Sequence, residues 1–509
     1  MTREVRTYDG SGNNIAHPTW GKANEPLRRL APPAYTDGIN DPPRTPGANP
    51  RAVSNILCAE TRALPSLAGL SDFMWAWGQF LDHEIDLSPE FHGPGAPTLA
   101  IDIPADDPVL PGGQVEITRS ETHVPPGQSW QQLNVLSSYI DGSNVYGADQ
   151  ARADALREMS GGRLKTSGTD LLPRNTLGLG NAPRDADPRY FAAGDVRANE
   201  HAVLTSMHTL FMREHNRRCV QILASHPGLP SSPADQDEEV YQQARRHVYA
   251  LMQVITYQEF LPALLGAGAL PDYAGYRADV DATISNLFST ACYRLGHSML
   301  SDSLLLADGS RMMLRDAFFT PELVADNGID LFLGGLAKQM MREVDMQIID
   351  SVRNFLFQRP GQGNTLGDLA TRNILRGRDH GLPDYNTCRQ ALGLPALSGF
   401  ADVSRREGVV HGLKTAYASV NDIDPWIGGL AEDHLPGAAV GPFIHAVLRE
   451  QFIRLRDGDR FWYENDPALA EDLINVGETL RDLKSTTLSD VIMRNTGLRG
   501  LPRSVFQAS

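Results

Sequence analysis

Gln79, Asp82 and His83 are the residues in this chain best suited to do chemistry, and they lie close together. They belong to Trp77-Gly78-Gln79-Phe80-Leu81-Asp82-His83-Glu84-Ile85-Asp86, which has no proline and no glycine after Gly78. It reads as a helix. Gln79 and His83 share one helical face, Asp82 lies at its edge, and Glu84 points elsewhere. An apolar helix that turns an amide, a carboxylate and an imidazole to one side is costly to bury unless something there uses them. Such an imidazole suits a general base, and equally a satisfied core histidine on a partly solvated helix.

Four downstream stretches carry similar content. Asp195-Val196-Arg197-Ala198-Asn199-Glu200 sets an Arg and a Glu on one side if the turn opens the helix that follows. Alone it is also an ordinary ion pair at a helix start, worth little. In Tyr293-Arg294-Leu295-Gly296-His297-Ser298, the glycine lets a flat ligand approach the backbone. His297 and Arg294 then offer an imidazole for a metal and a guanidinium for an acidic group of the same ligand. A core histidine beside a surface arginine has the same pattern. Thr371 to Pro383 contains Asn373, an amide able to fix the tautomer of a ligating histidine, and Arg376. Finally, Ser137-Ser138-Tyr139-Ile140-Asp141-Gly142-Ser143 presents oxygens at every second position, from Ser137, Tyr139, Asp141 and Ser143. That suits a hard cation with many ligands, and also a serine-rich turn.

The elements that must position these residues are mostly helical. Residues 1–50 are rich in Pro, Asn and Gly and read as an extended arm wrapping the core. Residues 88–134 read as loop with a short strand at Gln114–Thr118, and residues 148–196 are polar and glycine-rich. Helical periodicity runs from Glu200 to about Leu264, then through Ile284–Leu300, Leu331–Arg342, Met346–Phe357, Gly408–Val420, Ala439–Leu455, Leu469–Lys484 and Thr487–Asn495. With no repeat and no long linker, this predicts one mainly α domain over 51–509, with long loops and few short strands.

The 509 residues carry a formal net charge of -16, which argues against nucleic acid and anionic membrane surfaces as partners. No apolar run is long enough for a membrane span, and the first residues show no signal-peptide pattern. The four cysteines, Cys58, Cys219, Cys292 and Cys388, form no C-x-x-C pair, which excludes a zinc ribbon.

Taken in order, the motifs from Trp77 to Asp86, Asp195 to Arg217, Tyr293 to Ser298, Thr371 to Pro383 and Leu455 to Asn465 resemble the animal-type haem peroxidases. This is the myeloperoxidase and lactoperoxidase branch of the peroxidase–cyclooxygenase superfamily. The resemblance spans from about Arg6 to Arg499 and is of a disulfide-poor, bacterial kind, with Gly12 where vertebrate relatives have a cysteine.

The resemblance implies a haem b cofactor, with ester links from Asp82 and Glu200. It implies His297 as proximal iron ligand, oriented by Asn373, with Arg294 and Arg376 holding propionates. Gln79, His83 and Arg197 become the distal catalytic group. Hydrogen peroxide is then reduced through a ferryl intermediate, and halides, thiocyanate or phenolic donors are oxidised. Ser137, Tyr139, Asp141 and Ser143 become a Ca²⁺ loop completed by Glu84, where the family normally has Asp. His201 stands where myeloperoxidase has a sulfonium-forming Met, so no such link is expected. His208, His215, His380 and the Leu455–Asn465 signature read as structural. The resemblance also implies an extracellular location. Two alternatives remain: a cyclooxygenase-like fatty-acid dioxygenase, which needs a radical tyrosine and an apolar channel, and a peroxinectin-like adhesion module.

Overall fold

The computed structural model describes residues 4–43, 48–125, 127–182, 187–226, 228–356 and 367–509. It is mainly α, as expected, and one hydrophobic cluster runs from Tyr8 to Phe506.

Helix α1, Phe73–Ile85, is apolar on nearly every side, with Phe73, Met74, Trp75, Trp77, Phe80, Leu81 and Ile85 all buried. A helix of that composition belongs in the middle of a core. It packs on α2, Ala202–Ser225, where Phe211 stacks on Phe80 at 5.1 Å and meets Trp77 at 5.7 Å. The expected long helix from Glu200 starts later, at Ala202, because His201 is extended and caps it, accepting from the Leu204 amide. It is interrupted after Ser225, and α3, Pro233–Ile255, begins with proline in its first turn, where a missing N–H costs nothing.

The predicted helix Ile284–Leu300 is divided. Helix α4 covers only Asn286–Thr290, and a 3-10 segment, Cys292–Ser298, carries Arg294 and His297. The Thr290 hydroxyl bonds back to the Asn286 carbonyl, and Arg294 Nε takes the Ser289 carbonyl at 3.0 Å. The break falls at Ala291, whose backbone at φ -129° and ψ -69° leaves the helical region. Helix α5, Leu369–Asp379, carries Asn373 and Arg376 and is capped by Asp368. Other blocks are shorter than their periodicity suggested. Leu331–Arg342 is helical only over Asp330–Leu336, and Leu469–Lys484 splits around Gly477, at φ 77°, into Pro467–Asn475 and Leu480–Ser485. Met346–Phe357 keeps Asp350–Arg353, and Phe357 lies outside the described residues. A strand at Thr98–Ile103, read from sequence as loop, pairs antiparallel with Gly113–Thr118. The hairpin buries Ile101, Ile103 and Ile117 against Leu375 of α5.

The early residues are tied into the core. Buried Arg6 bonds Asp459 at 2.5 Å, and Asn13 and Gln253 donate to the same carboxylate at 2.8 and 3.1 Å. All four cysteines are buried and free. Asp459→Ala leaves the Arg6 guanidinium uncompensated in a dry interior. It is expected to cost about 3–5 kcal/mol in denaturant unfolding, whereas an arm that lies loosely on the surface would give less than about 1 kcal/mol.

Candidate active site

A cavity of about 400 Å³ lies between α1, the loop before α2 and the His297 segment. Gln79, Asp82, His83, Arg197, Glu200, Arg294, His297 and Arg376 all line it. Glu84 does not; it points away from the cavity into the Asp141–Asn144 turn.

On the α1 side, His83 is buried with Nδ1 3.4 Å from Asp195. Burial, and then the neighbouring Arg197, push its pKa well below the usual histidine value. It is therefore a neutral base. Arg197 is held by Asp195 through Nε at 3.0 Å and Nη2 at 2.9 Å, and Nη2 also donates to the Asp86 carbonyl at 3.0 Å. Asp82 stands 3.8 Å from Arg197. Burial would raise the Asp195 carboxyl, but Arg197 and His83 outweigh it and hold it well below the usual range. Asp82 and Glu200 lack so close a partner, and burial pushes each up to about 7.

On the other wall, burial and the adjacent Arg294 lower His297 to about 3, so it too is neutral and able to ligate a metal. Asn373 lies 2.8 Å from His297 Nδ1, as the motif suggested, but in the opposite sense. Arg294 has only donors and bonds Asn373 Oδ1 at 3.1 Å, so the amino end of the amide is left for the imidazole. Arg376 reaches the cavity, yet its guanidinium is engaged by Glu90 and Asp379 at 2.5 and 2.9 Å and by Ser120 at 2.8 Å.

The cavity fits a flat, largely apolar ligand with acidic edges. Met74, Trp75, Phe260, Leu264, Leu295 and Phe318 contribute apolar walls, and a Cβ added at Gly296 would meet nothing within 4 Å. Arg294, Arg372 and Arg376 place three guanidinium groups on the same lining.

The sequence reading did not single out Asp195, Asp86 or Arg372. Asp195 carried a usable signal: its Oδ1 accepts from the Arg197 amide two residues on, at 2.8 Å, the local turn that Asp favours. Asp86 and Arg372 also lay inside the motifs, Asp86 three residues after His83 and Arg372 beside Asn373, but nothing in their spacing alone marked them as cavity residues. His208, His215 and His380 are buried and hydrogen-bonded to Asn144, to Tyr146 and Gly162, and to Asn286 and Ser120. They are structural.

A family model described as animal haem peroxidase matches residues 5–506. The chain belongs to that family. Peroxinectin A of Dictyostelium discoideum is 36% identical, over 97% of this chain and 94% of its own length. The solved structure of peroxidase A from the same organism superposes with a TM-score of 0.89 at 34% identity, covering 99% of this chain and 100% of that one. A fatty acid alpha-dioxygenase of Arabidopsis thaliana shares the fold, with a TM-score of 0.80 at 20% identity, over 99% of this chain and 83% of its own. As an animal haem peroxidase, the protein is an enzyme that uses haem and hydrogen peroxide. No helix among the described residues is long and apolar enough to cross a membrane.

The raised Glu200 carboxyl has a consequence for the haem-free protein. Burial pushes it up to about 7, above the ordinary carboxyl value of 4.5, so between the two the folded state binds a proton that the unfolded chain has already lost. Stability therefore falls as pH rises from about 4.5 through about 7. Glu200→Gln removes this dependence. It is expected to raise the Tm of the haem-free protein at pH 8 and leave it unchanged at pH 4, read by calorimetry across the range.

Proposed function

We propose that the protein reduces hydrogen peroxide with His83 and Arg197 and oxidises small anionic donors such as halides or thiocyanate, or phenols. The observation that carries this reading is that His83, Arg197 and His297 line one cavity. Haem bound there supplies the redox chemistry.

His83 holds Nδ1 toward Asp195, so Nε2 remains to take a proton from one peroxide oxygen and deliver it to the leaving oxygen. Asp195 steadies the imidazole while it is charged. Arg197, fixed by Asp195, offers its guanidinium to the charge that develops on the peroxide. Gln79 positions peroxide, water or a halide. Asp82 and Glu200 carry the ester links to haem.

His297 holds the iron. That role needs Nδ1 to carry the proton, with Asn373 Oδ1 as acceptor. Arg294 donates to that oxygen here, and an Arg294 engaged by an acidic group of the haem would leave it free for His297. Arg376, now paired with Glu90, would hold a second acidic group of the haem.

A calcium ion belongs beside Asp141. Buried Asp141 Oδ2 has no hydrogen-bond partner, and burial with the neighbouring Asp141 charge pushes Glu84 up to about 8. Both features fit a missing cation. Glu84 already accepts three backbone N–H bonds, which leaves about one of a carboxylate's four acceptor positions. Among the described residues no cluster of three or more His, Cys, Asp or Glu is placed to hold a metal. The ion would accordingly take two carboxylates, the Ser137 and Ser143 hydroxyls and the Tyr139 carbonyl. An extracellular location is part of the same proposal.

Two measurements test the reading. His83→Ala should slow the stopped-flow reaction with peroxide by about 10²–10⁴-fold, with haem still bound, while His297→Ala should change the iron ligation spectrum. A His83→Ala protein as fast as wild type refutes the assignment. For calcium, metal analysis should find the ion in freshly purified protein, and chelation or Asp141→Ala should lower Tm. If no calcium is found and added calcium leaves the Tm unchanged, the loop is a plain turn.

A further inference from the structure

We infer that His201 is a positioning residue for the peroxidase reaction: it fixes the Gln79 amide with its amino group, not its carbonyl, turned toward Glu200 and the cavity. His201 Nε2 lies 2.7 Å from Gln79 Oε1. On the far side of the same ring, Nδ1 accepts from the Leu204 amide at 3.2 Å. A neutral imidazole has one N–H, and the helix cap assigns Nδ1 as the acceptor. Nε2 therefore carries the hydrogen and donates it to Gln79.

The amide oxygen is thus committed, and only the NH₂ end remains for the site. There it faces the lining that Glu200 shares, and it is one of the influences favouring the ionised form of that carboxyl. The ring itself cannot swing. Trp75 and Phe318 meet it edge-on, at 5.7 and 6.1 Å, and its backbone bridges to Phe318. Burial keeps His201 neutral by lowering its pKa to about 3, so the arrangement holds across any working pH.

Two consequences follow for the reaction. A donor facing the cavity attracts small anions, whereas a carbonyl would repel them. The same donor also orients Glu200, holding one carboxyl oxygen and leaving the other to bond haem. Both consequences rest on the proposed anion oxidation and Glu200 ester.

Three variants separate positioning from capping. His201→Ser restores the helix cap but cannot reach Gln79. His201→Gln supplies a donor to Gln79. His201→Leu does neither. Two quantities are read on haem-loaded protein: the bromide dissociation constant from the Soret shift, and, in an Asp82→Ala background, the rate at which haem becomes resistant to acid–acetone after peroxide. His201→Leu and His201→Ser should weaken bromide and slow linkage by about three- to tenfold, the worth of one orienting hydrogen bond. His201→Gln should recover both. Wild-type behaviour in His201→Ser overturns the inference, because it leaves His201 as a helix cap only. If Asp82→Ala with His201 intact never links haem, the Glu200 ester reading fails, and the bromide series alone decides. Equal bromide affinities across the three variants then overturn the inference, and the predicted order sustains it.

Discussion

A turn of backbone buried in the interior must find acceptors for its amides, and much of this structure is arranged around one such turn. Glu84 accepts the amides of Asp141, Gly142 and Asn144 at 2.7, 2.5 and 2.8 Å, and its own carbonyl accepts the Ser143 hydroxyl at 2.6 Å. Asn144 completes the junction. Its side chain donates to the Phe80 carbonyl at 2.8 Å, and its carbonyl meets the Asp195 amide at 3.0 Å and His208 at 3.1 Å. One turn therefore joins α1, the loop before α2, and α2 itself. Gly194 permits the closeness, since a Cβ there would lie 2.3 Å from the Ser143 carbonyl. His83 is the neighbour of Glu84, and Arg197 follows Asp195 by two residues, so the junction sets where both meet the cavity.

The charges around the cavity follow from who stands nearest to Arg197. Asp195 holds it through two guanidinium nitrogens and stays ionised. Asp82, 3.8 Å away, and Glu200 are left to burial, and both drift toward the neutral acid. The same dielectric thus produces one strong anion and two weak ones within a few residues. Neutral acids lower the cost of a lipophilic cavity and keep it open to a ligand that brings its own negative groups. Arg294 then has room to answer those groups, because its nearest partners are an amide and a carbonyl and not a carboxylate.

Much of this was legible in the sequence, for reasons that particular residues make clear. The α1 face was readable because helical period alone relates Gln79 to His83, and nothing interrupts the helix between Phe73 and Ile85. The outward turn of Glu84 followed from the same geometry. The expected helix through Ile284–Leu300 divides at Ala291, whose backbone leaves the helical region, a local departure that side-chain periodicity does not record. The strand Thr98–Ile103 was missed because its burial depends on Leu375, nearly three hundred residues downstream. Arg376 illustrates a third limit. Its motif indicates an arginine at the cavity but not that Glu90 and Asp379 already hold it.

The two walls of the cavity share one device, an amide whose orientation is set by a donor on its oxygen. At Gln79 the donor is His201 Nε2; at Asn373 it is Arg294 Nη1. In both, the contact decides which end of the amide faces the working histidine or carboxylate, because an amide offers a donor at one end and an acceptor at the other. The two donors differ in what restrains them. His201 stands on the cavity lining, but it is neutral and its ring is fixed by the helix cap and by Trp75 and Phe318, so it has no charge with which to draw an acidic group away from the Gln79 oxygen. Arg294 lines the cavity and carries a charge, and any acidic ligand group competes directly with the Asn373 oxygen for it. The amide on the α1 side is therefore held by a neutral, immobile donor, while the amide beside His297 is held by a charged one. On the function proposed above, this difference would make the imidazole at His297 responsive to an acidic ligand in the cavity and leave the α1 face, with His83, the more rigid of the two walls.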